Sequence, residues 1–182
     1  GTNHSVAIGY QAAGNASGNW GNGVYIGYLT GNHDTNGSNT AVGYRAMEVA
    51  SGSQMVKNVA IGTQSQQNIS YNNSNSNTSL GWGTLQGGSV TGIVANNVAI
   101  GDGAGQTMTT TGDCILIGNS AGNVLDGTGP NGSIAIGHLA LATHTTGARN
   151  IAIGWEAMHD TNAGSTAQGS EDNTFIGYRV GG

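Results

Sequence analysis

The sequence predicts an all-β protein, a parallel β-solenoid (β-roll) of about ten coils, from its composition, its internal repeats and its residue alternation. Glycine takes 34 of 182 positions, 36% of the residues are hydrophobic and only 7% are charged. Glycine is a poor helix former and favours turns, so the composition disfavours a helical fold. The hydrophobic residues recur at regular positions, which disfavours a disordered linker. We expect one repetitive domain over residues 1–182.

A five-residue motif, Asn-x-Ala-Ile-Gly, carries the repeat. Its clearest copies are residues 58–62, 97–101 and 150–154, and seven weaker copies keep the pattern with substitutions. Short repeats at a nearly fixed period are typical of solenoids, in which each unit stacks on the next. Successive motif glycines are 16 to 23 residues apart. They are Gly9, Gly27, Gly43, Gly62, Gly81, Gly101, Gly118, Gly137, Gly154 and Gly177.

The motif alternates as a short strand does. The residue before each glycine is Ile, Val or Leu, and the residue two positions earlier is Val, Ile or Thr. Alternating β-branched residues indicate a strand with one buried face. The residue between them, usually Ala, points the other way and permits the close approach of a second surface. We therefore predict a repeat core at Ile8, Ile26, Val42, Ile61, Leu80, Ile100, Ile117, Ile136, Ile153 and Ile176.

The remaining motif positions have roles at the corners of the coil. Glycine is expected to end each strand in a conformation that a Cβ would obstruct. The Asn is expected to bond neighbouring backbone and its own copies in adjacent coils. A small residue, most often Ala, follows three positions after the glycine, as at Ala46 and Ala157. Stacking at the usual strand spacing predicts a rod about 45–50 Å long.

Two longer segments resemble known repeats. Residues 39–47 (Asn-Thr-Ala-Val-Gly-Tyr-Arg-Ala-Met) and 150–158 (Asn-Ile-Ala-Ile-Gly-Trp-Glu-Ala-Met) resemble repeats of bacteriophage tail fibres. Residues 4–9 (His-Ser-Val-Ala-Ile-Gly) are similar to head repeats of trimeric autotransporter adhesins. The resemblance implies a β-roll that forms an intertwined or side-by-side homotrimer. It also implies a structural fibre segment at the virion surface that contributes to host attachment.

Other functions stay open at this point. The coils are longer than the compact adhesin repeat, which favours the fibre. The alternative is a bacterial cell-surface adhesin or extracellular filament subunit, and a polysaccharide depolymerase is a third possibility. Self-association also follows independently, because a lone roll would leave one apolar ladder exposed to water.

Aromatic residues follow six of the ten motif glycines. One interpretation is an exposed ladder that contacts a host-surface polysaccharide, since Tyr and Trp combine an apolar ring with a polar edge. The other is that the rings cover a corner of the coil or fill the seam between chains. These candidate contact residues are Tyr10, Tyr28, Tyr44, Trp82, Trp155 and Tyr178.

Several classes of function lack their sequence signals. The net charge is −5 without a basic cluster, so we expect no nucleic-acid partner. No apolar run approaches the roughly 20 residues that span a membrane, and the first residues show no signal-peptide pattern. The lone Cys114 offers no metal pair, and the histidines lack metal-ligand spacing. No two acidic residues share a motif position in adjacent coils. We predict no catalytic residue, no metal and no cofactor.

Overall fold

The computed structural model describes residues 4–14, 22–34, 38–48, 55–69, 74–87, 92–125, 131–145, 147–159 and 171–181. These residues form twelve strands of two or three residues and no helix. In chain order the strands are β1 (Val6–Ile8), β2 (Val24–Ile26), β3 (Thr40–Val42), β4 (Val59–Ile61), β5 (Thr78–Leu80), β6 (Val94–Ala95), β7 (Val98–Ile100), β8 (Thr111–Gly112), β9 (Ile115–Ile117), β10 (Ile134–Ile136), β11 (Ile151–Ile153) and β12 (Thr174–Ile176).

Ten strands, one from each motif copy, form a single parallel sheet. Its order is β1-β2-β3-β4-β5-β7-β9-β10-β11-β12, and β6 pairs with β8 in a second sheet. Equivalent motif positions align, so Ile61 lies between Val42 and Leu80. The parallel β-solenoid is confirmed, and so is the single column that holds the residue before each glycine.

In the motif strands from β2 to β11, the middle residue, not its neighbours, lines the interior of the coil. Ala60 and Ala152 are completely buried, whereas Ile61 is 37% exposed and Ile176 is 67% exposed. The prediction that the residues before the glycines form the core is therefore wrong. Their column lies on the outside of the coil, where each is partly or largely exposed in the single chain: Ile8, Ile26, Val42, Ile61, Leu80, Ile100, Ile117, Ile136, Ile153 and Ile176.

The narrow interior explains this inversion. The middle residue of each of these motif strands shares the space inside its coil with residues three and four positions after the glycine; Ala157 and Met158 are both buried in this way. Where the residue four positions after the glycine is large, the remaining space accepts only a small side chain from the strand, such as the methyl group of Ala152 beside Met158. The flat outer face of the sheet accommodates β-branched residues.

Residue sizes are matched inside most coils. A Cβ added to Gly31 would lie 2.2 Å from Cδ1 of Tyr25, and one added to Gly122 would lie 2.6 Å from Cδ2 of Leu116. A large residue in the strand is thus paired with glycine four positions after the motif glycine, and a small one with a large residue. Further pairs are Ala41 with Met47, Ser79 with Leu85, Ala135 with Leu141, Ala152 with Met158 and Phe175 with Gly181.

Glycine is required at the motif position for two reasons. Gly62 has φ +134°, which side chains rarely adopt, and an added Cβ would lie 2.2 Å from the carbonyl oxygen of Gly81. Gly62 also donates its N–H to the carbonyl of Val42 at 2.8 Å. The expected turn conformation is confirmed, and the close approach of successive coils is a second reason for glycine.

The motif asparagines form a buried ladder along the rod. Asn77 Oδ1 accepts the backbone N–H of Asn97 at 3.0 Å, and Asn77 Nδ2 donates to the carbonyl of Val94 at 2.7 Å. Asn58 Oδ1 likewise accepts the backbone N–H of Asn77 at 2.9 Å. Asn97 Nδ2 also donates to Asn77 Oδ1, so the predicted bonds to backbone and to neighbouring copies are both confirmed.

After each motif glycine, backbone hydrogen bonds between neighbouring coils continue, and residues with positive φ alternate with residues of ordinary φ. Arg45 and Met47 have φ of 57° and 52°, although neither is glycine. The Arg45 N–H donates to the carbonyl of Tyr28 at 2.8 Å, and the Met47 N–H donates to the carbonyl of Ser65 at 3.0 Å. Because such bonds recur along the rod, the left-handed conformation is a regular feature of this corner.

Candidate functional site: the outward face of the sheet

Two aliphatic columns make up the outward surface of the ten-stranded sheet. They contain the first and third residues of the ten motif strands, and every one is Val, Ile, Leu or Thr. None of these residues is buried; Ile8 is 58% exposed. We call this surface the aliphatic face. At the usual spacing of neighbouring strands it is about 43 Å long.

A third column, formed by the residue after each motif glycine, lies beside the aliphatic face. The structure brings all six sequence-predicted aromatic residues together in this column. Each has between 44% and 70% of its surface exposed. These residues are Tyr10, Tyr28, Tyr44, Trp82, Trp155 and Tyr178.

At one end of this column the rings stack on one another. The ring centroids of Tyr10 and Tyr28 are 5.3 Å apart with an interplanar angle of 15°, and those of Tyr28 and Tyr44 are 5.4 Å apart at 9°. The guanidinium of Arg45 lies 5.9 Å from the centroid of the Tyr44 ring. Both faces of the Tyr28 ring are therefore covered by neighbouring rings.

Toward the other end, the column contains polar residues as well as aromatic ones. Trp82 lies between Thr63 and Asp102 of the neighbouring coils, and Asn119 follows Asp102. Next comes His138, whose ring stacks on Trp155 at 4.1 Å and 20°. Sequence reasoning missed Asp102, Asn119 and His138 because it selected the aromatic positions alone. The signal that could have found them is their position directly after a motif glycine.

Titratable groups inside the coil have structural roles. The Tyr25 hydroxyl donates to Asp34 Oδ2 at 2.5 Å, and Asn39 Nδ2 donates to the same oxygen at 2.7 Å. Burial, reinforced by the charge of Asp34, raises the pKa of Tyr25 well above its ordinary value, so the phenol stays protonated. Burial also raises the pKa of the Cys114 thiol to about 11 and lowers the pKa of His144.

A shallow groove lies near the second sheet, away from the predicted residues. It encloses about 300 Å³ and is lined by Ile93, Asn96, Thr110, Asp113 and Asn131, among others. Asn96 Nδ2 donates to Asp113 Oδ1 at 3.1 Å, and Asn131 Oδ1 accepts the N–H of Gly112 at 2.8 Å. These polar groups are largely engaged with one another.

The described residues include no cluster of three or more His, Cys, Asp or Glu side chains that could hold a metal ion. In that same part of the chain no helix is long and apolar enough to cross a membrane. Comparison with protein-family models, with curated proteins and with solved structures gives no match.

Proposed function

We propose that this chain is a structural segment of a phage tail fibre, in which three copies pack side by side through their aliphatic faces. The observation that carries the proposal is the composition of that face. Its two columns are aliphatic except for Thr40, Thr78 and Thr174, and they contain no charged residue. Monomeric proteins rarely leave such a continuous apolar surface in water.

The geometry of the face favours another copy of this chain as its partner. Its side chains repeat at the strand spacing of about 4.8 Å. A second roll aligned in parallel has the same period, so the ridges of one face can pack between those of the other along the whole length. A partner without this period would match only a few coils.

Side-by-side packing is favoured over intertwining. Each neighbouring pair in the ten-stranded sheet is formed within one chain, from β1 with β2 to β11 with β12. The backbone bonds along the sheet are therefore satisfied without exchanging strands. We also propose that each motif strand belongs to one complete coil, which gives ten coils.

The fibre role rests on the rod shape and on the resemblance of residues 39–47 and 150–158 to tail-fibre repeats. A stack of coils joined by regular backbone bonds makes a stiff spacer. Localisation at the virion surface follows from this proposal. A cell-surface adhesin with the same roll is the alternative, and the two differ in their neighbouring segments: virion attachment for a fibre, a membrane anchor for an adhesin.

Sedimentation equilibrium of the purified chain tests the assembly. We expect a mass close to three times the 18.2 kDa of the single chain, and electron micrographs should show short rods. A mass of one chain at micromolar concentration would contradict the proposal. Incubation with capsular polysaccharide tests the depolymerase, which the fibre proposal expects to be absent: no new reducing ends should form.

A further inference from the structure

The column of residues after the motif glycines is interrupted by a notch. At its two ends stand Trp82, which is 48% exposed, and the stacked pair of His138 and Trp155. Between them are the exposed Asp102 and Asn119. The Trp82 and His138 positions are three strands apart, or about 14 Å at the usual strand spacing. We call these five residues the notch.

The next column contains small residues over the same coils. Two positions after the motif glycine, the structure has Gly83, Gly103 and Ser120 beside the notch. The equivalent positions in other coils have long side chains: Gln11, Leu29, Arg45, Gln64, Leu139, Glu156 and Arg179. Gly83 and Gly103 are both buried, because neighbouring side chains, including that of Gln106, lie over them.

Neither backbone nor packing requires glycine at position 103. Its φ of +64° is close to the 57° that Arg45 adopts at the same position of another coil. An added Cβ would meet no atom closer than 3.5 Å, the nearest being Oγ of Ser120. A single methyl group therefore fits at this position without displacing its neighbours.

The polar groups of the notch are available to a ligand. Within the described part of the chain, the side chains of Asp102 and Asn119 make no hydrogen bond. Gln106 lies next to them, and its Nε2 donates to Gln86 Oε1 at 3.1 Å. A carboxylate and an amide near exposed aromatic rings suit a molecule that has hydroxyl groups on an apolar ring.

We propose that the notch binds a neutral saccharide. A pyranose ring packs against Trp82, its hydroxyl groups donate to the Asp102 carboxylate, and Asn119 Nδ2 donates to a sugar oxygen. Charge favours a neutral sugar: the notch contains the acidic residue Asp102 and no Lys or Arg, and the chain has a net charge of −5, so an anionic sugar would be repelled.

This inference rests on the proposed fibre in one respect, because the notch must stay exposed when the chains assemble. The composition of the notch agrees with a position at the rim of the interface between chains. Burying Asp102 in an apolar seam would leave its charge unpaired, which costs several kcal/mol. Interfaces typically have an apolar centre and a polar rim.

An array of immobilised neutral oligosaccharides of glucose, galactose, mannose and N-acetylglucosamine tests the site, with sialylated and sulfated glycans on the same array. The assembled wild-type chain should bind at least one neutral oligosaccharide and none of the anionic ones. Trp82→Ala and Asp102→Ala should each weaken that binding by about tenfold or more.

Tyr28→Ala is the comparison variant, since it removes a ring of the same column outside the notch. It should change binding by less than about twofold. Absence of binding by the wild type, selective binding of anionic glycans, or equal losses in Tyr28→Ala and Trp82→Ala would each overturn the site. Sedimentation separates the two proposals: a trimer that binds no saccharide refutes the notch alone, and a monomer refutes the fibre assembly.

Discussion

Ala152 and Ile153 are neighbours in β11, yet they belong to two different surfaces. Ala152 is completely buried inside its own coil, whereas the Ile153 side chain points outward and stays partly exposed in the single chain. The same contrast recurs in β3, β4, β5, β7 and β10, with Ala60 beside Ile61 as one example. The smaller residue holds the coil together, and the larger one is available for a partner. The difference shows that apolar size alone does not identify the core of a narrow solenoid.

The largest expected effect comes from a charge on the inner side. Ala152→Asp would bury an unpaired carboxylate among Ala157 and Met158, which are both buried. We expect this change to destabilise the fold by about 4 kcal/mol or more. Thermal unfolding followed by circular dichroism measures it. A melting temperature within a few degrees of wild type would contradict the assignment of Ala152 to the interior.

Gly62→Ala should have the next largest effect, because it strains the backbone and also brings a Cβ against the carbonyl of Gly81. The expected loss is more than about 2 kcal/mol in the free energy of unfolding. Gly103→Ala is a matched control, since its φ is tolerated elsewhere and its Cβ has room. Denaturant titration compares the two. Equal losses would show that the close approach of the coils is not what requires glycine.

Asn77→Ala tests the buried ladder of hydrogen bonds formed by the motif asparagines. It would leave the N–H of Asn97 and the carbonyl of Val94 without their partners. We expect a loss of about 2–3 kcal/mol, measured by denaturant titration. Asn119→Ala, at an exposed position, should change stability by less than about 0.5 kcal/mol. A small effect at Asn77 would mean that water replaces the lost bonds.

The size match inside the coil predicts a rescue. Ala152→Leu should cost about 1–3 kcal/mol by overfilling the space that Met158 occupies. Adding Met158→Gly should recover part of that loss, as Leu116 with Gly122 illustrates in another coil. A double-mutant cycle measures the coupling, expected at about 1 kcal/mol or more. Additive losses would show that the two positions do not share one volume.

The sequence was sufficient for the strand positions, their parallel register, the asparagine ladder and the role of glycine. Each depends on one repeated motif whose equivalent residues must stack. It did not reveal which side of the strand is enclosed, because alternation is the same viewed from either side. The deciding signal was present in pairs such as Tyr25 with Gly31, six residues apart, where a large residue requires a missing side chain.

The candidate site was predicted in part. Selecting aromatic residues found the right column, but that criterion gave Tyr28 the same weight as Trp82. The structure separates them, since neighbouring rings cover Tyr28 while Trp82 lies next to Asp102. Ring stacking between coils depends on side-chain geometry, which repeat spacing does not specify.

The most direct test is Ile153→Asp, one residue away from the most damaging substitution. If the outer side of β11 faces another chain, the new carboxylate should break the assembly and leave the coil intact. Sedimentation equilibrium should then give a mass near 18.2 kDa instead of three times that value, with the β-sheet circular dichroism retained. A three-chain mass at an unchanged melting temperature would contradict the account, as would unfolding as complete as that expected for Ala152→Asp.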